Sequence, residues 1–383
     1  MTTPAADGNP PAEGRRCRRR LLVARALTLA FTGVFCFLVL ELCVRLFMPH
    51  LNPANQLPFY INPDGVALGK PSRQFKYRWV KGEYEMNVAI NRHGYRDRKD
   101  HVEASPEDVF VLGDSFAFGW GVEEDERFSN LLEQRLGWKL FNVAIPGSIR
   151  DYGRMLQYVE RHGATARNLL VGVCMENDLW DYGHSASNSA RRPLGVKRRV
   201  TGWLRNHSAF LSFVSFSLQR YPLTRAWCEK LGLATAVENF TLKNTLVPEV
   251  LASSRDELLK IVTNRQALIL IIPSRALWYG EAARTATEGN VHDRFVESLR
   301  GAGLRVVDLK PVFEKSADPL GFYFKTDGHW NAKGHAAAAE AIHEYWLRHT
   351  DWKSRGGGSG PPGTANTGIL TNSTAKGAVR DDF

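Results

Sequence analysis

Val109-Phe110-Val111-Leu112-Gly113-Asp114-Ser115-Phe116 is the stretch from which the fold can be read. Four apolar residues run straight into Gly-Asp-Ser. A short run rich in Val and Phe and ended by Gly predicts a buried strand. Trp120 and Gly121 follow, then a helical pattern from Glu123 to Leu136 with acidic residues in its first turn. Strand, tight turn, Ser and helix together put a hydroxyl at the C-terminal edge of a sheet. The helix N–H groups beside it favour negative charge. The competing reading is a Ser that only caps a helix. The far end of the chain weighs against that reading.

There, Phe324-Lys325-Thr326-Asp327-Gly328-His329-Trp330-Asn331-Ala332-Lys333-Gly334-His335 precedes an Ala-rich helix. A Ser hydroxyl is a poor nucleophile until a base takes its proton. The base is usually a His oriented by a carboxylate. Asp327 and His329 can supply both from one turn. Two further stretches end apolar runs in a similar way. Asn142-Val143-Ala144-Ile145-Pro146-Gly147 carries a Gly whose N–H can approach a ligand, and the run from Leu169 to Cys174 leads into Glu176-Asn177-Asp178.

In these blocks the chain resembles the SGNH (GDSL-like) hydrolase superfamily, over roughly residues 108–348. The resemblance implies Ser115 as nucleophile, His329 as general base and acid, and Asp327 as its orienter. It also implies an oxyanion hole from the N–H groups of Ser115 and Gly147 and the side-chain amide of Asn177. Such donors usually supply the largest single term in acyl chemistry. Two positions depart from the commonest pattern: Phe116 stands where many members have Leu, and the last block is Asp-x-His rather than Asp-x-x-His. No Gly-x-Ser-x-Gly is present, so an α/β-hydrolase elbow is not the template.

The apolar runs at 109–112, 139–143, 169–174, 267–272 and 304–308 alternate with helical patterns near 125–136, 151–162, 254–264, 289–301 and 334–348. Alternation of this kind predicts an α/β fold with a parallel sheet covered on both faces. The expected architecture is three-layer α/β/α with a five-stranded sheet, the flavodoxin-like arrangement of SGNH hydrolases. Ligands bind beyond the C-terminal ends of such strands, where the Ser, Gly and Asn blocks fall.

The chain has 383 residues, 44% hydrophobic and 23% charged, with a formal net charge of +10. Part of the excess lies in Arg15, Arg16, Arg18, Arg19, Arg20 and Arg25, and no nucleic-acid-binding signature accompanies it. Residues 1–25 are expected to be a disordered, basic cytoplasmic segment. Residues 26–47 are apolar enough to cross a bilayer, with Glu41 and Arg45 spaced to pair. No Ala-x-Ala site follows and no small residues precede Cys43, so an uncleaved signal anchor is expected. The positive-inside rule then places the catalytic domain outside the cytoplasm, on the periplasmic side of a bacterial inner membrane. A connector at 48–107, a catalytic domain at 108–350 with a helical insert at 183–252, and a disordered tail at 351–383 complete the division. In the connector, His93 and Arg96 read as structural.

The insert is basic at Arg191, Arg192, Lys197, Arg198 and Arg199, and apolar from Trp203 to Leu218; it is expected to be either a cap over the active-site edge or a solvated loop with a helix packed on the core side. Cys174 lies in a predicted core strand, where an inert thiol is usual. No disulfide framework or metal-ligand spacing is readable, and no cofactor is expected. Trp120, Trp180 and Trp330 lie beside the blocks, as does Tyr182. Aromatic rings stack on sugars, so these Trp residues, with Asp114, are the candidate substrate-binding residues.

The expected function is a membrane-anchored esterase or O-acyltransferase acting on acyl groups, chiefly O-acetyl, of an envelope or exported polysaccharide. Its partners are then the acylated carbohydrate or other ester substrate, the lipid bilayer, and membrane proteins of polysaccharide assembly. The alternatives are a lipid esterase or lysophospholipase, and a catalytically silent protein that binds glycans or serves in assembly.

Overall fold

The structure, a computed structural model, describes residues 12–53, 59–79, 81–176, 178–179, 207–230, 248–349 and 352. Its strands are β1 (Phe59–Ile61), β2 (Ala67–Gly69), β3 (Gln74–Arg78), β4 (Glu85–Ala89), β5 (Val109–Leu112), β6 (Leu140–Asn142), β7 (Asn168–Cys174), β8 (Gln266–Ile272) and β9 (Arg305–Asp308). Its α-helices are α1 (Ala12–Phe47), α2 (Ser115–Phe118), α3 (Phe128–Leu136), α4 (Ile149–Arg161), α5 (Ala209–Arg220), α6 (Pro222–Lys230), α7 (Pro248–Val262), α8 (Ala282–Gly301), α9 (Lys310–Glu314) and α10 (Ala332–Arg348).

Strands β5 to β9 form one parallel five-stranded sheet in the order β6-β5-β7-β8-β9. The expected three-layer α/β/α architecture is therefore present. Each central strand is an unbroken apolar run because both of its faces are covered. Phe110, Leu112, Leu169, Val171, Ile269 and Ile271 face the layer that includes α4, α7 and α8. Val109, Val111, Leu170, Leu268 and Leu270 face the layer that includes α3 and α10. The chain order reverses beside β5, the kind of position where open sheets bind ligands.

Gly113 makes the exit from β5 possible. Its φ is +152°, and a Cβ there would lie 2.6 Å from the Cβ of Ala117 and 3.1 Å from the carbonyl oxygen of Gly172. The turn can thus enter α2 only if this position lacks a side chain. The buried Asp114 caps the helix, its Oδ1 accepting from the N–H of Phe116 at 2.9 Å.

The segment 48–107 contains two antiparallel hairpins, β1–β2 and β3–β4. Met86, Val88 and Ile90 pack with Phe118 of α2, so this segment is seated on the Ser-bearing turn. Arg96 is buried and donates to the carbonyls of Gly119 at 2.5 Å, Val122 at 2.7 Å and Asn87 at 3.1 Å. Burial, with Arg127 nearby, lowers its pKa to about 9. Arg96 thus braces the loop after Ser115.

Helix α1 runs from Ala12, and its stretch Arg20–Phe47 is long and apolar enough to cross a membrane, with mean hydropathy 2.3. The part of the insert described at 207–230 packs against the end of α1, whereas 248–252 begin α7 on the sheet, with Leu251 in its core. Ala209, Phe210, Phe213 and Phe216 cluster with Val44 and Leu51. The basic residues at 191–199, residues 1–11 and residues 353–383 lie outside the described residues. Of the segments expected to be disordered at 1–25 and 351–383, residues 12–25 are instead helical as the start of α1, and Trp352 is buried against Trp346.

Candidate active site

Ser115 opens α2 at the end of β5, and the loop before α10 brings Asp327 and His329 to it. His329 Nε2 lies 2.8 Å from Ser115 Oγ, and His329 Nδ1 lies 2.7 Å from Asp327 Oδ1. Residues 214 positions apart in sequence therefore form one hydrogen-bonded line. With Nδ1–H donating to the carboxylate, Nε2 is left to accept from the hydroxyl, the tautomer that proton removal needs.

Burial opposes a charged imidazolium, but the Asp327 charge and hydrogen bond, with Asp114 nearby, outweigh it and hold the His329 pKa above its ordinary value. Burial likewise opposes the Asp327 carboxylate. His329 and the hydroxyl of Tyr84 overcome this and lower its pKa to about 2. The pair is thus a carboxylate beside a base made more basic.

The side chains that hold Asp327 and its loop in place come largely from the connector at 48–107. Tyr84 donates its hydroxyl to Asp327 Oδ2 and accepts from Trp120 Nε1 at 3.0 Å. The carboxylate of Glu83 accepts from the N–H groups of Lys325 at 2.5 Å and Thr326 at 2.6 Å and from the Thr326 hydroxyl at 2.6 Å. Trp79 Nε1 donates to Thr326 Oγ1 at 3.0 Å, and its ring stacks on Tyr84 with centroids 6.0 Å apart. The β3–β4 hairpin thereby clamps the loop that carries Asp327 and His329. From the other side, the buried Arg275 donates to the backbone carbonyl of Asp327 at 3.0 Å.

The alternation Phe75, Tyr77, Trp79 against Tyr84, Met86, Val88 across Lys81-Gly82 is a hairpin signal in the sequence. Nothing local indicates that its turn reaches residues 325–327. Removal of the Tyr84 hydroxyl in Tyr84→Phe should lower kcat/KM about tenfold, the scale of one hydrogen bond to a charged group. KM should hold. The acid limb of the pH profile should move up, because a less neutralised Asp327 raises the His329 pKa further. Steady-state kinetics across pH check this. A uniform loss with an unmoved limb would leave Tyr84 a packing residue.

The remaining sequence candidates separate. Trp120 is at the site, its ring stacked on His329 with centroids 5.8 Å apart. Trp330 is fully buried among Phe116, Phe313 and His335, so it offers no face to a substrate. Asp114 is fully buried as the α2 cap, which also removes it from the substrate-binding set. Gly147 lies in the turn after β6, just before Ser148 caps α4. Asn177 and Trp180 lie outside the described residues. Next to them, Asp178 accepts from the N–H of Cys174 at 2.8 Å and the hydroxyl of Tyr152 at 2.5 Å, tying the end of β7 to α4. Burial pushes the Cys174 thiol well above its usual range, as for an inert core cysteine.

Away from this site, His93, Asp100 and His101 bring potential ligand atoms within 4.8 Å of one another. The other oxygen of Asp100 is already paired with Arg92.

A family described as an SGNH hydrolase-like domain, acetyltransferase AlgX, matches residues 248–363, the part that holds Asp327 and His329. No curated protein matches in sequence. Among solved structures, a member of the lipolytic protein G-D-S-L family from Veillonella parvula is similar at 11% identity. It covers 63% of this chain and 98% of its own, with TM-score 0.38. A catalytic mutant of the acetylxylan esterase Axe2 from Geobacillus stearothermophilus is similar at 13% identity. It covers 63% and 94%, with TM-score 0.36.

Proposed function

We propose that this member of the SGNH/GDSL-like superfamily is a membrane-anchored enzyme that moves acetyl groups on or off a carbohydrate of the bacterial envelope. The carrying observation is the line Ser115–His329–Asp327, with contacts of 2.8 and 2.7 Å. Ser115 Oγ attacks the ester carbonyl while its proton passes to His329 Nε2. The oxyanion is held by the N–H groups of Ser115 and Gly147 and by the Asn177 amide. Collapse expels the alcohol, which takes the proton from His329, and leaves an acyl-Ser115. Water or a sugar hydroxyl then attacks, with His329 as base again, and frees the serine.

Acetyl transfer is supported by the description of the matching family, an acetyltransferase. The membrane reading rests on the apolar stretch Arg20–Phe47, whose most apolar window is only 6% buried, preceded by Arg15, Arg16, Arg18 and Arg19. On this reading the N-terminus is cytoplasmic and the catalytic domain periplasmic. A lipid esterase would use the apolar residues of the insert as an acyl groove. The described phenylalanines of that insert are instead engaged with Val44 and Leu51, which favours the short-acyl reading.

A series of acetyl, butyryl, octanoyl and palmitoyl esters separates the two. Each buried CH₂ of a lipid chain contributes about 0.8 kcal/mol, so a groove would favour long chains steeply. We expect kcat/KM to be highest for acetyl and to fall beyond butyryl. A rise toward palmitoyl would establish a lipid esterase in its place.

A further inference from the structure

The anchor and the insert are joined by a polar clasp. Glu41 of α1 accepts from the hydroxyl of Ser208 at 2.7 Å and from the N–H groups of Ala209 and Phe210, each at 2.9 Å. It therefore caps the start of α5. Arg45 pairs with Glu41 at 2.7 Å and donates to the carbonyl of His207 at 2.6 Å. Phe37, one turn further back on α1, meets Phe210 edge-on with centroids 5.8 Å apart.

These contacts fix the depth of α5. A bilayer core of about 30 Å takes about 20 helical residues. Counted from Arg25, the last cation of the basic flank, the core ends near Arg45. Glu41 then lies one turn inside that boundary and Phe37 two turns inside. A carboxylate at such a depth needs polar partners, and Ser208, two helix N–H groups and Arg45 supply them. The start of α5 thus lies just inside the outer edge of the hydrocarbon.

One face of α5 meets the anchor through Phe210, Phe213 and Phe216. A second apolar stripe, Leu211, Val214 and Leu218, has helical spacing i, i+3, i+7 and lies off that contact. Leu218 is exposed, and so are Tyr221, Leu223 and Trp227 beyond it. Leu223 and Trp227 share a face of α6, with the exposed Lys230 one turn on. Apolar residues bordered by Tyr, Trp and Lys form the composition that suits the bilayer–water interface.

We propose that α5 and α6 are a membrane-seated helical pair, docked beside the anchor with Leu218, Tyr221, Leu223 and Trp227 in the outer-leaflet lipid. This rests on the membrane-anchor reading above. The pair also touches the catalytic side, since Arg220 Nη1 donates to the carbonyl of Gly82 at 2.9 Å in the hairpin that carries Tyr84. The lipid-seated helices would then help to set the orientation of the catalytic domain on the membrane.

The test uses the full chain in liposomes, with a benzophenone amino acid placed singly at Phe31, Leu218, Trp227 or Leu347. Phe31 is an exposed position of α1, and Leu347 is an exposed position on α10. After irradiation, lipid adducts are read by mass spectrometry. Lipid adducts at Leu218 and Trp227 comparable to those at Phe31 and well above Leu347 are expected. Adducts at Phe31 with none, or only protein adducts, at Leu218 and Trp227 would overturn the docking and leave the anchor standing. Equal labelling at Leu347 would also overturn it. Absence of lipid adducts at Phe31 would remove the anchor reading, and this proposal with it.

Discussion

Ser115→Ala should lower turnover of an acetyl ester by about 10⁴–10⁶-fold, the cost of losing a nucleophile that acts as a unit with its base. The fold should be untouched. The cap of α2 is the Asp114 side chain, not the serine hydroxyl, so the helix start keeps its partner. The hydroxyl is bonded to His329, which retains its bond to Asp327 when the hydroxyl is gone. Thermal unfolding of the variant should therefore match the parent while the rate collapses. Initial rates with an acetyl ester, measured beside a melting curve, check both halves. Near-parental turnover would show that another group is the nucleophile.

Asp327→Asn should cost about 10³–10⁴-fold, less than loss of the serine but far more than a surface change. The amide can donate to His329 Nδ1 where the carboxylate only accepted. The proton then sits on Nε2, and the nitrogen facing Ser115 can no longer take one. The pH profile adds an independent mark. A general base must be neutral, so activity is lost as pH falls through the His329 pKa, which lies above the ordinary 6.5. Loss of the Asp327 charge removes the main influence that raises it. The acid limb of kcat/KM should therefore sit above pH 6.5 in the parent and move to lower pH in the variant. An unmoved limb would assign it to another group.

The sheet was legible because each strand is a short apolar run bounded by turn residues and buried on both faces. Runs at 109–112 and 169–174 needed no distant information. The line Ser115–His329–Asp327 was legible because its members sit where strands and loops end, in blocks that the family resemblance joins. The support around that line was not legible. Tyr84 and Glu83 reach Asp327 and Thr326 across more than 240 residues, and only the folded hairpin makes the contact. Trp330 shows the opposite failure. Its place beside His329 suggests a sugar platform, yet its ring is packed in the core against Phe116 and Phe313. The basic and apolar pattern of the insert leaves a cap and a helix packed on the core side equally open, because a pattern does not name its partner. The partner is the end of α1, some 160 residues away.

On the proposed mechanism Ser115 carries the acyl group between donor and acceptor. Acid quench of the full chain during turnover of an acetyl ester, followed by mass spectrometry of its peptides, would trap that species. One added acetyl is expected on the peptide containing Ser115, its level rising when the acceptor is withheld and absent in Ser115→Ala. Turnover with no acyl on Ser115 at any time, or with the acyl on another residue that is lost in step with activity, would contradict that mechanism.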